Sequence, residues 1–599
     1  MKNRFLAIAA ILLCGQTMLY SQAFTSAVNI SGANLLNDEA FDVEVTAFSE
    51  KIVACSRTTS AAGTDGYMRV FNSANAPLFE YQIIGSGNDV VYAVDKFTNA
   101  ATVSDIYLTG YFTGTANVFR RFPMGAPVLI TTLTAPSGNA TDQTYFVMKV
   151  NTSGTYFWTY LAGNVSGTGP ETGGDVTVEL VNGMRMLYTT GSFSGTTTFS
   201  AAPGSITRSS AGTGQDVFVA CYTDNGATAA LNWVNTAFSP AGANNDFGWG
   251  LDADANGIVY VTGSVAAGAA TFNSTGGPAQ ITAAGFGDDD AFVARYTLAG
   301  LCSGTRLLGG NGVSGGVADQ GRGIAVTSNG SNLYVSGYYR GTGGSFGAAT
   351  GQSEGFVQYL TAATLTPGWF RTVRSTGFDA CYRLCLNTAE TYCMVSGNYE
   401  GIVTVFDQFN VGMYTEVFCA TSIADLDGFV LRLDGGTGNT PVMGRVCGVG
   451  GIDLTTGVDA SNNNEAVTCG HYTSATLLFE GSAPTLTNAS AGNFDAFFAV
   501  FTPVSIVRLG QFEETNIQAG VQLYPNPAAG MITLRTETAS AETPKQFMLF
   551  DLTGRIVLNK PVTQAQQEIT LAGMPAGTYV WRLVAASGTT QQGKLVVTE

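Results

Sequence analysis

The sequence predicts an all-β protein: a seven-bladed β-propeller of four-stranded blades, its last blade completed by the N-terminal strand, followed by a small immunoglobulin-like β-sandwich. Three observations carry this expectation. The 599 residues include 75 glycines, 11% aromatic residues and only 12% charged ones, a composition suited to short strands joined by tight turns. Four strand signatures recur in fixed order along most of the chain, each with the period-two alternation of a half-buried strand. The fourth signature is displaced: one copy stands alone before the first repeat, and a ring closed by that strand leaves no unpaired edge.

At the N-terminus, Lys2 and Arg4 precede the apolar run from Phe5 to Leu13, and Ser21-Gln22-Ala23 supplies small residues for cleavage. Residues 1–23 therefore read as a signal peptide, with the mature chain starting near Phe24. The run is shorter than the roughly 20 apolar residues a bilayer needs, Leu13 is bulky where lipid attachment at Cys14 would want a small residue, and no later segment reads as transmembrane.

Residues 24–502 carry the repeats. The first signature is an aspartate five residues ahead of an aliphatic residue: Asp38 and Val43, Asp89 and Val94, Asp175 and Leu180, Asp246 and Leu251, Asp319 and Ile324, Asp379 and Leu384, Asp453 and Val458. The second is a strand ending at Gly110, Gly191, Gly263, Gly337, Gly397 or Gly470, with Val53 to Ser56 as a degenerate first copy. The third is an acid ahead of an aromatic-aliphatic strand: Asp65, Asp142, Asp216, Asp290, Glu354, Asp427 and Asp495. The fourth is a short strand running into glycine, as at Gln82 to Gly85 and Arg306 to Gly310, and its displaced copy is Ala27 to Ile30. Seven copies of each give seven blades.

The regular spacing of the seven first-signature aspartates favours a structural role, each accepting backbone amide hydrogen bonds in the crossover between blades. A cation or glycan site at a channel mouth is the alternative. Asp252, Asp254 and Asn256 match the first half of a calcium loop, D-x-D-x-N-G, yet Gly263 stands at the twelfth position, where a glutamate is needed. A plain hairpin turn is favoured there, calcium is the alternative, and no other cofactor is expected.

The formal charge of -17, with no basic run against it, excludes nucleic acid and a bare anionic membrane as partners. Removing Cys14 leaves an odd number of cysteines, so a complete disulfide framework is excluded. Cys381, Cys385 and Cys393 cluster in the sequence, and a bond from Cys385 to Cys393 is conceivable, although buried small hydrophobes are the favoured reading. Nucleophile elbows, phosphate loops, dinucleotide fingerprints and H-E-x-x-H are absent, and His471 is the sole histidine. Carboxylate pairs could still cleave glycans. Asp288-Asp289-Asp290 with Phe286 is the single cluster of that kind, and Asp290 already belongs to the repeat.

The repeats resemble bacterial β-propeller families whose units read D-x-x-G-N-x-Y-V-x-G, the closest copy running from Asp252 to Tyr260. That resemblance implies a fold and no fixed activity. Residues 503–520 read as a linker. Residues 521–599 carry Leu523-Tyr524-Pro525-Asn526-Pro527, then Phe550 to Arg555 with Gly554, then Met574 to Tyr579 with Gly577, and close on Lys594 to Val597. This module resembles the type A C-terminal sorting domain of the type IX secretion system. The resemblance implies partnership with that machinery, passage across the outer membrane, removal of the domain, and a secreted or surface-held product. The expected function is a non-catalytic binding or adhesion protein whose propeller takes an extracellular glycan or protein. The alternative is a secreted carbohydrate-active enzyme with a carboxylate site at the propeller axis.

Overall fold

Period-two alternation becomes strand throughout the protein. The computed structural model describes residues 22–503 and 521–598, apart from short internal segments of which the longest are 311–318, 417–424 and 537–544. Residues 1–21 of the expected signal peptide and 504–520 of the expected linker lie outside the described residues. Every described regular element is a strand, and the chain divides at residue 504 into two compact units.

The first unit contains seven antiparallel sheets. Their first strands, in chain order, are Asp38–Val45, Val90–Ala100, Thr172–Val181, Phe247–Ala253, Gln320–Val326, Ala380–Leu386 and Asp453–Ala460. These define sheets one to seven. Sheet seven takes its fourth strand from the other end of the chain: Gln22–Asn29 pairs antiparallel with Asp495–Pro503, with Val28 opposite Phe498. Phe24 is fully buried there, its ring 5.3 Å from Phe501 and 5.4 Å from Phe479.

Five sheets have six strands rather than the four expected. The extra pair is a hairpin from the following repeat. Thr115–Arg121 and Val128–Thr134 lie in sequence between the second and third strands of sheet two, yet pair onto Pro77–Gly85 of sheet one, with Ile83 opposite Val118. The physical reason is edge protection: the connection is long enough to cross to the neighbouring sheet and cover its outer strand. In sheet one the corresponding connection spans only the residues between Ser60 and Gly63, too few for such a hairpin.

Each first strand touches the first strand of the next sheet, and Asp453–Ala460 touches Asp38–Val45. Hydrophobic packing follows the same cycle. Seven buried clusters each draw on two successive sheets, and one joins sheet seven to sheet one through Val467 and Phe498 against Val43 and Phe71. Each fully buried aliphatic or phenyl side chain in them contributes about 1.5–3 kcal/mol. No sheet closes on itself.

The second-signature glycines have a steric cause. A Cβ on Gly263 would sit 1.8 Å from the Phe247 carbonyl oxygen, and one on Gly337 would sit 1.9 Å from that of Gln320. The first strand presses its backbone onto the second at this point, and only glycine admits that approach.

The C-terminal unit has a three-stranded sheet (Val521–Tyr524, Met531–Thr536, Gln566–Thr570) and a four-stranded one (Lys545–Phe550, Ile556–Val562, Gly577–Val584, Thr590–Val597). Ile532, Leu534 and Ile569 from the first pack with Phe547, Trp581 and Leu595 from the second in one core, the arrangement of a small sandwich.

Candidate functional site

The site begins with an irregularity repeated in all seven first strands. Pairing with the second strand skips Phe41, Tyr92, Gly174, Trp249, Arg322 and Thr456, and in sheet six it skips Tyr382 and Arg383 together. A β-bulge bends its strand and re-aims a side chain. Here it divides each first strand into a bulge residue and a run of residues beyond it.

Beyond the bulges the seven first strands jointly line a cavity of about 280 Å³. Its acids act as staples between neighbouring strands. One oxygen of Asp42 accepts the Val43 amide at 3.0 Å and the other accepts Val94 of sheet two at 3.1 Å. Asp95 does the same with Lys96 and, at 2.7 Å, Val178 of sheet three. Asp175 bonds Val176 and, at 2.9 Å, Leu251 of sheet four. Asp252 bonds Ala253 and, at 2.8 Å, Val326 of sheet five. Asp459 bonds Ala460 and, at 2.8 Å, Val45 of sheet one. The regular offset means that these strands run side by side at one level. Sheets five and six offer Gly323, Ala325, Arg383 and Cys385 at these points instead.

Two cations serve this acidic interior. Arg383 reaches from sheet six to sheet three, donating to the Gly174 carbonyl oxygen at 3.1 Å and pairing with Asp175 at 2.5 Å, while Asp42 lies 4.0 Å away. Lys96 pairs with Glu44 and, at 2.6 Å, with Asp459. Burial nonetheless wins over these attractions. It pushes the Asp42 carboxyl up to about 7 against the pull of Arg383, and Asp95 up to about 6 against that of Lys96. Burial likewise raises Glu44 and Asp252 well above the ordinary carboxyl range.

The bulge residues stand in a ring at one end of this cavity, half-buried except for Gly174, which is buried. Phe41 meets Tyr92 with ring centroids 5.1 Å apart, and Trp249 stacks on Phe247 at 5.2 Å. The Arg322 guanidinium lies over Trp249 at 4.4 Å and beside Tyr382 at 5.7 Å. The ring escapes the signatures as read from sequence, although a signal is present. In six of the seven sheets a bulge residue stands three positions after the first-signature aspartate, as Tyr92 does after Asp89 and Trp249 after Asp246, and in sheet three Gly174 stands three after Glu171.

The first-signature aspartates sit behind this ring, not in it. Asp319 accepts Arg340 and Gly310 amides, both at 2.7 Å, and so ties the end of sheet four to the second strand of sheet five. Asp246 links Ala266 and Ser239 in the same way, Asp379 takes Ser375 and Glu400, Asp453 takes Ser474, Asp89 takes Thr113, and Asp38 pairs with Arg57 at 3.2 Å. Asp175 is out of register with them. The bulge at Gly174 places Glu171 at their position, fully buried and bonded to Thr197, with burial pushing it up to about 8. The aliphatic partner confirms the frame: Val176 is 3% exposed, whereas Leu180 is 48% exposed.

The calcium candidates do not converge. Asp252 lines the cavity, whereas one Asp254 oxygen accepts the Asn256 and Ile258 amides of its own turn. No group of three or more acids, histidines or cysteines among the described residues has a metal-holding arrangement. Asp288 lies outside the described residues, and both Asp290 oxygens accept the Phe286 amide. His471 is buried against Phe494 and Ala40, its imidazole lowered to about 4. Cys385 and Cys393 are free thiols: Cys385 stands opposite Met394 and Cys393 opposite Leu386, so the strand register keeps them from bonding. Cys447 is disulfide-bonded. Of the sorting residues, Pro525 and Gly577 are described and the Lys594 backbone pairs with Val580, while Asn526, Pro527 and Gly554 lie outside the described residues.

Residues 522–598 match the family of secretion system C-terminal sorting domains. The chain is thus a cargo of the type IX secretion system, secreted or carried on the outer-membrane surface. No curated protein matches it. Two solved structures of the extracellular domain of BT4673 from B. thetaiotaomicron cover 96% of this chain, at 9% and 8% identity, spanning 99% and 98% of their own length with TM-scores of 0.17 and 0.16. Dimeric latent PorU from Porphyromonas gingivalis covers 61% of this chain and 31% of its own, at 12% identity and a TM-score of 0.12. Scores this low carry no structural or functional argument. No described helix is long and apolar enough to cross a membrane.

Proposed function

We propose that residues 24–502 are a seven-bladed β-propeller, and that the exported protein is a non-catalytic binding protein taking an extracellular ligand at the bulge-ring end of its axis. Three features support the propeller: the cyclic contact of first strands, the hydrophobic cluster joining sheet seven to sheet one, and one cavity lined by all seven first strands. The observation that carries binding is the ring itself, where five of the seven bulge positions are Phe41, Tyr92, Trp249, Arg322 and Tyr382, each half-buried. Ligand sites join aromatic faces to a few placed polar groups in this way. The axial carboxylates support a binding rather than a catalytic reading, because five of them already spend both oxygens on backbone amides. In this reading the mature surface form begins near Phe24, whose amide donates to the Glu480 carbonyl at 2.9 Å, and lacks the sorting domain.

A glycan-array screen of the full-length protein tests the proposal, with Trp249→Ala as its control. Retention of particular glycans by the wild type and their loss in the variant is expected. Binding that ignores Trp249→Ala would move the site elsewhere. Release of new reducing ends from a retained glycan would replace binding with catalysis.

A further inference from the structure

Arg322 differs from two other cations at this end of the molecule, while Arg340, near Tyr338, shares with it a buried Nε without a partner among the described residues. Arg383, one position further along the neighbouring first strand, has its donors taken by Asp175 and Gly174, and Arg57 is paired with Asp38. Arg322 makes no ion pair and no side-chain hydrogen bond among the described residues, and its Nε is buried without a partner. Its contacts are rings: Trp249 and Tyr382 against the guanidinium, and Tyr92 and Tyr338 near enough for its charge to oppose the rise that burial imposes on their hydroxyls. These rings come from four different sheets. The Trp249 indole N–H, also buried, lacks an acceptor.

An unpaired guanidinium in a chain of net charge -17, with carboxylates abundant, is a donor fork held away from the protein's own acids. Planar anions satisfy it, and a carboxylate does so bidentately. A bare inorganic anion would make no use of the surrounding ring faces. A neutral apolar ligand would strip water from the guanidinium without replacing it, which costs binding. A pyranose ring has apolar C–H faces and hydroxyls at its edge, and one bearing a carboxylate meets every feature at once.

Building on the binding reading above, we propose that the bulge-ring end recognises an acidic saccharide. The carboxylate of a uronic acid unit pairs with the Arg322 guanidinium, and the sugar face lies against Trp249 and Tyr382. No bond is made or broken.

The test titrates the full-length protein with oligogalacturonate, oligomannuronate and hyaluronan oligosaccharides, each against its carboxyl methyl ester, by calorimetry. At least one acid form binds, and its ester binds roughly tenfold to a hundredfold more weakly, the worth of a charged hydrogen-bonded pair. Arg322→Met abolishes that preference and Arg322→Lys keeps part of it, with melting temperatures recorded for both so that misfolding is not mistaken for lost recognition. Equal binding of acid and ester, both lost in Trp249→Ala, would overturn the acidic assignment and leave the binding site standing. An acid affinity that survives Arg322→Met in a folded variant would also overturn it. Absence of any saccharide binding would overturn both.

Discussion

Arg322 and Arg383 occupy adjacent levels of neighbouring first strands, yet they serve opposite environments. Arg383 points into a cavity lined by carboxylates and is consumed by them. Arg322 faces aromatic rings and makes no ion pair among the described residues. The contrast separates the two cations by their partners alone: the donors of Arg383 tie sheet six to sheet three, whereas those of Arg322 are engaged by none of the described residues. The same distinction sorts the acids. Those inside the cavity are staples, and the first-signature aspartates behind the ring are crossover clamps.

The largest test of this contrast is Arg383→Met. The Arg383 side chain is only 16% exposed, so its loss leaves Asp175 and Asp42 without their shared cation in a poorly hydrated space. Removing one partner of a buried pair costs roughly 3 kcal/mol or more. Urea unfolding followed by tryptophan fluorescence should show that loss; a cost below about 1 kcal/mol, within the range of an exposed pair, would mean that Arg383 is no more structural than Arg322.

A smaller effect follows from pH. Burial raises Asp42 and Asp89 to about 7, and Asp95, Asp246 and Asp453 to about 6. Because the folded state holds these protons more tightly than the unfolded chain, the contribution is fully present below the unfolded carboxyl range and is lost as pH rises through about 6 to 7. Calorimetric melting temperatures should therefore be higher at pH 5 than at pH 8. In Arg383→Met the slope should steepen, since the cation that opposes protonation of Asp42 is gone. A melting temperature that climbs from pH 5 to pH 8 would show that the ion pairs outweigh burial in the cavity.

Much of this fold is legible in the sequence, for a definable reason. The second-strand glycines of six sheets and the buried tyrosines of four, such as Tyr188 and Tyr334, recur because each meets the same steric demand, and a repeated demand leaves a repeated letter. The displaced strand at Ala27 to Ile30 is legible because its partner is missing elsewhere. A bulge leaves no repeated letter, only a fixed distance from an acid: one extra residue in a strand shifts the alternation without naming itself, so the frame of Thr172–Val181 reads as Asp175 with Leu180 when the buried pair is Glu171 with Val176. The staple acids stay hidden for a related reason. They occupy either of two levels, Asp42 and Asp175 at one and Asp95, Asp252 and Asp459 at the other, so no single spacing collects them. The ring residues differ in type from sheet to sheet, which is what a binding surface needs and what a repeat search discards.

Arg322→Met should have the smallest effect on stability, and that is what makes it informative. Three contributions are at stake. The variant gives up a guanidinium stacked on Trp249, worth about 0.5–1 kcal/mol at a partly exposed site. It also removes a buried Nε that has no acceptor, whose desolvation works against the folded state. The methionine side chain then covers Trp249 and Tyr382 with a flexible apolar group that packs well on aromatic edges. The first is offset by the other two, so the change in unfolding free energy should stay within about 0.5 kcal/mol, the range of surface substitutions. Urea unfolding of Arg322→Met beside Arg383→Met, under identical salt and pH, measures the difference directly. A loss in Arg322→Met comparable to that in Arg383→Met would show that Arg322 is structurally engaged, and the two ends of the cavity would then be alike.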